Sequence, residues 1–426
     1  MHHFNYRDGE MFAEDVALTA IADEIGTPFY CYSGATFRRH IRVMSEAFAG
    51  LDTLVAYAMK ANSNQAMLAI AASEGIGADV VSGGELERAL RAGIPAQKII
   101  FSGVGKTRAE MRAGLEAGIL CFNLESEPEL ERLDQVAGEM GVVASVSVRV
   151  NPDVDAKTHA KISTGKSENK FGIPFARAEA VYARIAQSAN LRAVGVDMHI
   201  GSQITDLEPF DNAFALMAEL VGRLRAEGHD IHHVDVGGGL GIPYQTDNNP
   251  PPDPLEYAKI VRRHVDPLGC RLIIEPGRLI AGNAGVLVTG VEYVKQTDKK
   301  SFVIVDAAMN DLIRPTLYEA EHEVLPLVQP QADGATIRGD IVGPVCETGD
   351  YLALDREIAD VAEGDRLVVM TAGAYGAVMS STYNTRPLVA EVLVEGGRWH
   401  VVRPRQSVDA LIGMDSVPGW LGRTDQ

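Results

Sequence analysis

At 426 residues the chain is too long for one ordinary core, since domains run to roughly 100 to 200 residues, and two or three domains are expected, or two if one is a barrel. Hydrophobic residues make up 46% and charged residues 23%, ordinary values for a folded protein, so a disordered chain is excluded. The formal net charge of −19 and the lack of any Lys/Arg-rich run speak against nucleic acid as a partner.

Four cysteines (Cys31, Cys121, Cys270, Cys346) are scattered without a CxxC, which argues against a metal site and against a disulfide framework and points to a reducing, cytoplasmic compartment. The N-terminal run MHHFNYRDGEMFAEDVAL lacks the basic-then-apolar order of an export signal. No segment approaches about 18 uninterrupted apolar residues, so a membrane-spanning protein is not expected.

From Thr53 onward short apolar, β-branched runs alternate with stretches of helical period, as in successive βα units. Eight such runs are counted: 53–59, 77–82, 98–104, 119–124, 142–150, 191–200, 232–238 and 271–277, the number that closes a parallel barrel. GGELERALRAG and PFDNAFALMAELVGRLRAEG between them suit outer helices. The stretch Asn151 to Pro174 is longer and more polar than a usual connection and is expected to be a mobile active-site loop. After about Ala281 the texture changes to closely spaced strand-like runs (GVLVTGVEYV, SFVIVDAAM, ATIRGDIVG, RLVVMTAGAY, LVAEVLV, RWHVVRP), which predict an all-β domain.

Four positions fall at the ends of separate barrel strands, the catalytic face of such a fold. Lys60, in YAMKANSN, follows the first strand; an amine partly desolvated by its apolar neighbours can hold a carbonyl cofactor covalently. HIGSQ ends the sixth strand with His199, an imidazole able to stack on a flat ring, and Ser202, a donor for a phosphate. DVGGGLGIPY ends the seventh in three glycines whose backbone N–H groups can converge on an anion; it has no GxGxxG opening a helix, so a dinucleotide is disfavoured. EPGR closes the eighth: Glu275 could face a pyridine nitrogen and Arg278 could grip a carboxylate. Taken singly, each motif also reads as an ordinary turn or strand end. Beyond the barrel, VCETGD sets Cys346 beside Glu347, RPTLYEAEHE pairs Arg314 with Tyr318, and GAYGAVMSSTYNTRP places Tyr375 between glycines.

YAMKAN, HIGSQ, DVGGGLG, EPGR, RPTLYEAEHE, CETGD and GAYGAVMSSTYN, in this order, resemble the motif set of diaminopimelate decarboxylases, within the barrel-type, fold III family of PLP-dependent decarboxylases. The match runs from about Thr27 to Pro387. The resemblance implies an α/β (β/α)8 TIM-like barrel over 28–280, and an all-β domain, sandwich-like or barrel-like, from 1–27 plus 281–426. It implies Lys60 as the Schiff-base lysine, His199 stacked on the ring of pyridoxal 5'-phosphate, and Ser202, Gly238, Gly239, Gly277, Arg278 and Tyr375 on its phosphate, with Glu275 at the pyridine nitrogen. Substrate would be bound by Arg278, Arg314, Tyr318, Glu347 and Tyr375. Cys346 and Glu347 would reach in from the partner of a homodimer, Cys346 as proton donor. The implied reaction takes CO2 from the D centre of meso-2,6-diaminopimelate and leaves L-lysine.

Relatives acting on ornithine, lysine, arginine or carboxynorspermidine would share Lys60, the glycines and EPGR. The discriminating feature is Arg314, a cation suited to a second carboxylate, where a diamine-forming enzyme would place an acid; a buried polar site of that kind rejects a substrate lacking the group by about 10⁴-fold. A racemase is disfavoured because its family sets an Arg where this chain has Glu275, and a non-catalytic relative because Lys60 and Cys346 are both present.

Overall fold

The computed structural model describes residues 2–156, 158–165, 169–244, 251–330 and 334–421, and the chain divides into two compact units. The first, Gly34–Ala284, contains a closed ring of eight parallel strands: Thr53–Ala58, Gly77–Val80, Ile99–Phe101, Cys121–Leu124, Ala144–Asn151, Leu191–Asp197, His233–Asp235 and Arg271–Ile274. Each pairs with the next in sequence, and the eighth returns to the first through Leu272↔Thr53 and Ile274↔Val55. All eight runs read from the sequence are therefore strands of one barrel. The sixth stops at Asp197 and the seventh at Asp235, so His199 and the three glycines stand in the loops just beyond the ladder.

Local signals start and stop the outer helices. Arg108–Ala117 opens on a capping box between Thr107 and Glu110 and ends at Gly118 in the left-handed conformation. Glu127–Met140 opens on Ser126, with Pro128 in its first turn, and ends at Gly141. In Glu208–Ala226 the residues Phe210, Ala213, Phe214, Met217, Leu220, Val221 and Leu224 recur every three or four positions and are buried, the stripe that lays a helix on a barrel.

Strand composition grades along the barrel. Leu54, Ala56, Ile100, Cys121, Val194 and Ile273 form one apolar cluster. Other positions on these strands or just past them are polar and buried: Asp79, Ser102, Asn123, Ser147, Arg149, Asp197 and Asp235. At the rim, the buried Lys106 donates to the carbonyls of Gly103 (2.8 Å) and Asn123 (2.7 Å) and to Glu129 Oε1 (2.6 Å). Glu129 Oε2 accepts from the Glu125 backbone N–H (2.9 Å), and the Glu125 carboxylate accepts from Arg149 Nη1 and from the Gly172 N–H, both at 2.8 Å. This chain of charges ties the rim loops to the return of the Asn151–Pro174 segment. Positions 157 and 166–168 of that segment, read as mobile from the sequence, lie outside the described residues. Among the described residues no helix is long and apolar enough to cross a membrane.

The second unit, His2–Ser33 with Gly285–Gln426, is the separate β domain. Its sheet runs in the order Tyr351–Ala359, Thr336–Val342, Ser301–Val305, Gly285–Gln296, Phe29–Ser33, Ala390–Glu395, Arg398–Arg403. The long strand Gly285–Gln296 pairs through its first part with Phe29–Ser33 and with Arg366–Val369, and through its last part with Ser301–Val305, so one strand joins two pairing systems. Phe4, Met11, Leu18, Ile21, Phe29 and Cys31 share one buried cluster with Val286, Val288, Val368, Val392 and Val394. That burial holds both ends of the chain in one domain.

Removing the Lys106 ammonium while leaving Glu129 buried is expected to cost about 3–5 kcal/mol. Lys106→Met should therefore shift urea unfolding at neutral pH to distinctly lower concentration, with the loss shrinking at acid pH as Glu129 takes up a proton. An unchanged midpoint would show that the rim does not depend on this pair.

Candidate active site

Lys60 stands on the single 3-10 turn Met59–Ala61 that leaves the first strand, and its side chain is 34% exposed. Its Nζ donates to Asp79 Oδ2 at 2.6 Å, from the fully buried end of the second strand. Asp79 Oδ1 has no hydrogen-bond partner among the described residues. The ion pair holds the amine at the rim while its stem packs among apolar neighbours.

His199 Nδ1 accepts from the Gly238 backbone N–H at 3.1 Å, which leaves the ring proton on Nε2. Burial first, then the Arg149 and Lys60 cations, hold this imidazole well below its ordinary pKa, so the ring is neutral. The glycine run is demanded by crowding. A Cβ on Gly237 would meet His199 Nδ1 at 2.5 Å, and one on Gly238 would meet the Glu275 carbonyl oxygen at 2.2 Å. Gly239, at φ +108°, would meet the Gly201 carbonyl oxygen at 2.4 Å. The sixth, seventh and eighth strand ends are thus pressed together, backbone on backbone, as they must be if their N–H groups are to converge on one anion.

Glu275 is buried, and its Oε1 has no hydrogen-bond partner among the described residues. Burial first, then the carboxyls of Asp235, Asp79 and Asp197, push it well above the usual carboxylate range against the pull of Lys60. Asp197 is driven in the same direction by burial and by Asp235, opposed by Arg149. Asp235, whose Oδ1 accepts from the Gly237 N–H at 2.9 Å, is pushed up to about 7, chiefly by burial. A buried carboxyl oxygen left without a donor, as Glu275 Oε1 is, is a place that can take one.

Arg278 opens the short helix Arg278–Ala281 and is buried. Its Nε and Nη2 donate to Ser202 Oγ at 3.3 and 3.0 Å, and its Nη1 to the Tyr244 hydroxyl at 2.5 Å. Gly277 lies against Ala58, where a Cβ would come within 3.0 Å of the carbonyl oxygen, which brings the EPGR turn beside the Lys60 turn.

The remaining candidates lie in the second unit. Arg314 begins the helix Arg314–Tyr318 and is buried; Tyr318, at its end, is half-buried. Thr316 Oγ1 donates to the Gly349 carbonyl, tying this helix to the CETGD loop. Asp350 shapes that loop by accepting from the N–H groups of Met309 (2.7 Å) and Val345 (2.6 Å). Cys346 is exposed, and its backbone N–H donates to Asn384 Oδ1 at 3.1 Å. Glu347 beside Tyr383 pushes that phenol upward. Tyr375 is half-buried and held at φ +56°, an unusual backbone for a non-glycine residue and one that functional loops retain.

Thus Lys60, His199, Ser202, Gly238, Gly239, Glu275, Gly277 and Arg278 gather at one end of the barrel, and the Arg314 helix, the Cys346–Glu347 loop and the Tyr383 turn gather within the β domain. Sequence reasoning passed over Asp79, Arg149, Asp197, Asp235 and Tyr244. The signal was present: each of the three aspartates, and Arg149, is a charged residue late in a barrel strand.

Residues 34–282 match the family described as pyridoxal-dependent decarboxylase, pyridoxal binding domain. A diaminopimelate decarboxylase of Pseudomonas aeruginosa is 54% identical over 98% of this chain and 99% of its own length, and one of Vibrio cholerae 52% identical over the same shares. Among solved structures, a diaminopimelate decarboxylase from M. jannaschii in complex with L-lysine has a TM-score of 0.93 and 36% identity, covering 99% of this chain and 100% of that one.

Asp235 generates a pH prediction. Its carboxyl titrates at about 7 in the folded protein and near 3.9 when unfolded, so the folded state keeps a proton that the unfolded chain has lost. Its contribution is present in full below about pH 4 and falls away as pH rises to about 7. Asp235→Asn keeps an oxygen for the Gly237 N–H and should flatten the loss of stability of the cofactor-free protein over that interval by on the order of 4 kcal/mol. Urea unfolding at several pH values measures this, and parallel profiles for the two proteins would refute it.

Proposed function

The chain belongs to the diaminopimelate decarboxylase family of pyridoxal-dependent enzymes, and from that premise we propose how its residues divide the work. The enzyme removes CO2 from the D centre of meso-2,6-diaminopimelate to leave L-lysine, the last step of lysine biosynthesis.

The residues present fit pyridoxal 5'-phosphate. The observation that carries the assignment is the buried, unpartnered Oε1 of Glu275, which calls for an N–H donor such as a protonated pyridine nitrogen. Lys60 would hold the cofactor through its amine, with Asp79 keeping that amine in place. Ser202, Gly238, Gly239, Gly277, Arg278 and Tyr375 would take the phosphate, and the neutral His199 ring would lie on the cofactor's face without adding a charge there. When bound, the pyridoxal group supplies the sink for the electron pair that the departing CO2 leaves behind.

The chain's own residues then bind and protonate. Arg278, Tyr318, Tyr375 and Glu347 bind substrate, and Arg314 supplies the cation for the carboxylate of the amino-acid group that does not react. The exposed Cys346 thiol delivers the proton that takes the place of CO2. We assign Cys346 and Glu347 to the active site of a second copy in a homodimer, and the protein to the cytoplasm.

Incubating the holoenzyme with meso-diaminopimelate, L-lysine, L-ornithine and L-arginine in parallel tests the substrate assignment. CO2 and L-lysine are expected from the first alone, and turnover of a basic amino acid would overturn the role given to Arg314. Lys60→Ala should abolish turnover together with the visible absorption of lysine-bound pyridoxal; an unchanged band would remove Lys60 from its role.

A further inference from the structure

Arg314 is buried at 5% exposure, yet the helix that carries it has only five residues, too short to hold a side chain by its own stability. What meets the guanidinium is His322. The Arg314 Nη1 lies 2.7 Å from His322 Nε2, and His322 Nδ1 lies 2.8 Å from the Met370 carbonyl oxygen. A carbonyl oxygen can only accept, so Nδ1 carries the ring proton; Nε2 then offers a lone pair, and the guanidinium, which can only donate, is bound to it. The tautomer is thus set from one side and used from the other.

His322 itself stands on rigid ground. The Met370 backbone N–H donates to the Glu323 carbonyl at 2.8 Å, and the next strand, Val324–Pro326, pairs antiparallel with Arg366–Val369. The ring is therefore fixed by the sheet, and its position is transmitted to a side chain on a helix of little more than one turn.

We propose that His322 is the positioning residue of Arg314 and so sets the enzyme's affinity for the unreacting amino-acid end of its substrate. This rests on the reading of Arg314 as the cation for that end. His322 is not placed at the reacting atoms, so it should act on binding and leave the chemical step alone.

Two replacements separate its two bonds. His322→Asn keeps a donor at the position of Nδ1, for Met370, and withdraws the acceptor from Arg314. His322→Gln places an amide oxygen where Nε2 stood and keeps that acceptor. With the holoenzyme, Asn is expected to raise the KM for meso-diaminopimelate about 10- to 100-fold, the loss of one hydrogen bond to a charged group, while kcat changes less than about 3-fold. The inhibition constant of L-lysine, which retains the unreacting end, should rise by a similar factor. Gln should recover most of what Asn loses.

Equal KM values for the two variants, or a fall in kcat with KM unchanged, would overturn the inference. Arg314→Ala, measured alongside, separates the two layers. If it raises KM but His322→Asn does not, His322 is not the positioning residue and the reading of Arg314 stands. If Arg314→Ala itself leaves KM and lysine inhibition unchanged, the reading of Arg314 fails and the inference falls with it. Each variant retains one of the two bonds, so their thermal midpoints should stay close, and a shared loss of folding without the KM difference would count against the proposal.

Discussion

Four carboxyls buried at the C-terminal ends of the barrel strands, Asp79, Asp197, Asp235 and Glu275, face two cations, Lys60 and Arg149. Like charges out of water cannot all ionise, so Asp197, Asp235 and Glu275 titrate upward. The apolar cluster of Leu54, Ala56, Ile100, Cys121, Val194 and Ile273 offers these carboxyls no cation. A bound group with a donor for Glu275, as proposed above, would supply the compensation, and the crowding at Gly237, Gly238 and Gly239 brings the backbone of three strand ends together close by. A cluster of buried carboxyls is costly to keep, and natural proteins commonly give up stability of this kind at a functional site.

The same constraint explains what could be read from the sequence. The barrel strands were legible because they are continuous apolar runs between helices of clear period, and Lys60, His199 and Glu275 because each follows such a run. Asp79, Asp197 and Asp235 sit inside the runs, where a single acid is outvoted by its neighbours and reads as noise. Their meaning depends on facing one another across a closed ring, and adjacency between strand positions about twenty to forty residues apart is not a local property. Tyr244 closes a motif whose glycines attract the attention, and only the 2.5 Å contact with Arg278 distinguishes it.

In the β domain the reading thins for a different reason. Phe29–Ser33 lies inside the sheet, but its partners Gly285–Val288 and Ala390–Val394 come much later in the chain, and five residues, four of them apolar or aromatic, near an N-terminus carry no mark of that destination. Tyr351–Ala359 is a full strand although DREIA looks like surface, because its outer face meets solvent. Val324–Pro326 has three residues, too few for any period, and yet it anchors the segment that carries His322. The motif RPTLYEAEHE exposes Arg314 and Tyr318 to a reader by their chemistry; His322, four residues past the tyrosine, gains its significance only from a carbonyl forty-eight positions away.

Charge settles how such a protein meets small ionic ligands. The net −19 sets a field that repels a phosphate at long range, but at physiological ionic strength that field decays over about 8 Å, and a ligand already at the barrel mouth feels the nearest groups. There the balance is local, with Lys60 and Arg278 beside converging N–H groups. The 58 acidic residues are mostly paired or solvated at the surface, as Asp15 with Arg7 and Asp355 with Arg338 are, and exposed pairs of that kind contribute little. Anion recognition in an acidic protein therefore depends on a few cations held in fixed directions. That is why the neighbours that aim them, Asp79 for Lys60, Ser202 and Tyr244 for Arg278, and His322 for Arg314, weigh more on binding than the sign of the whole chain.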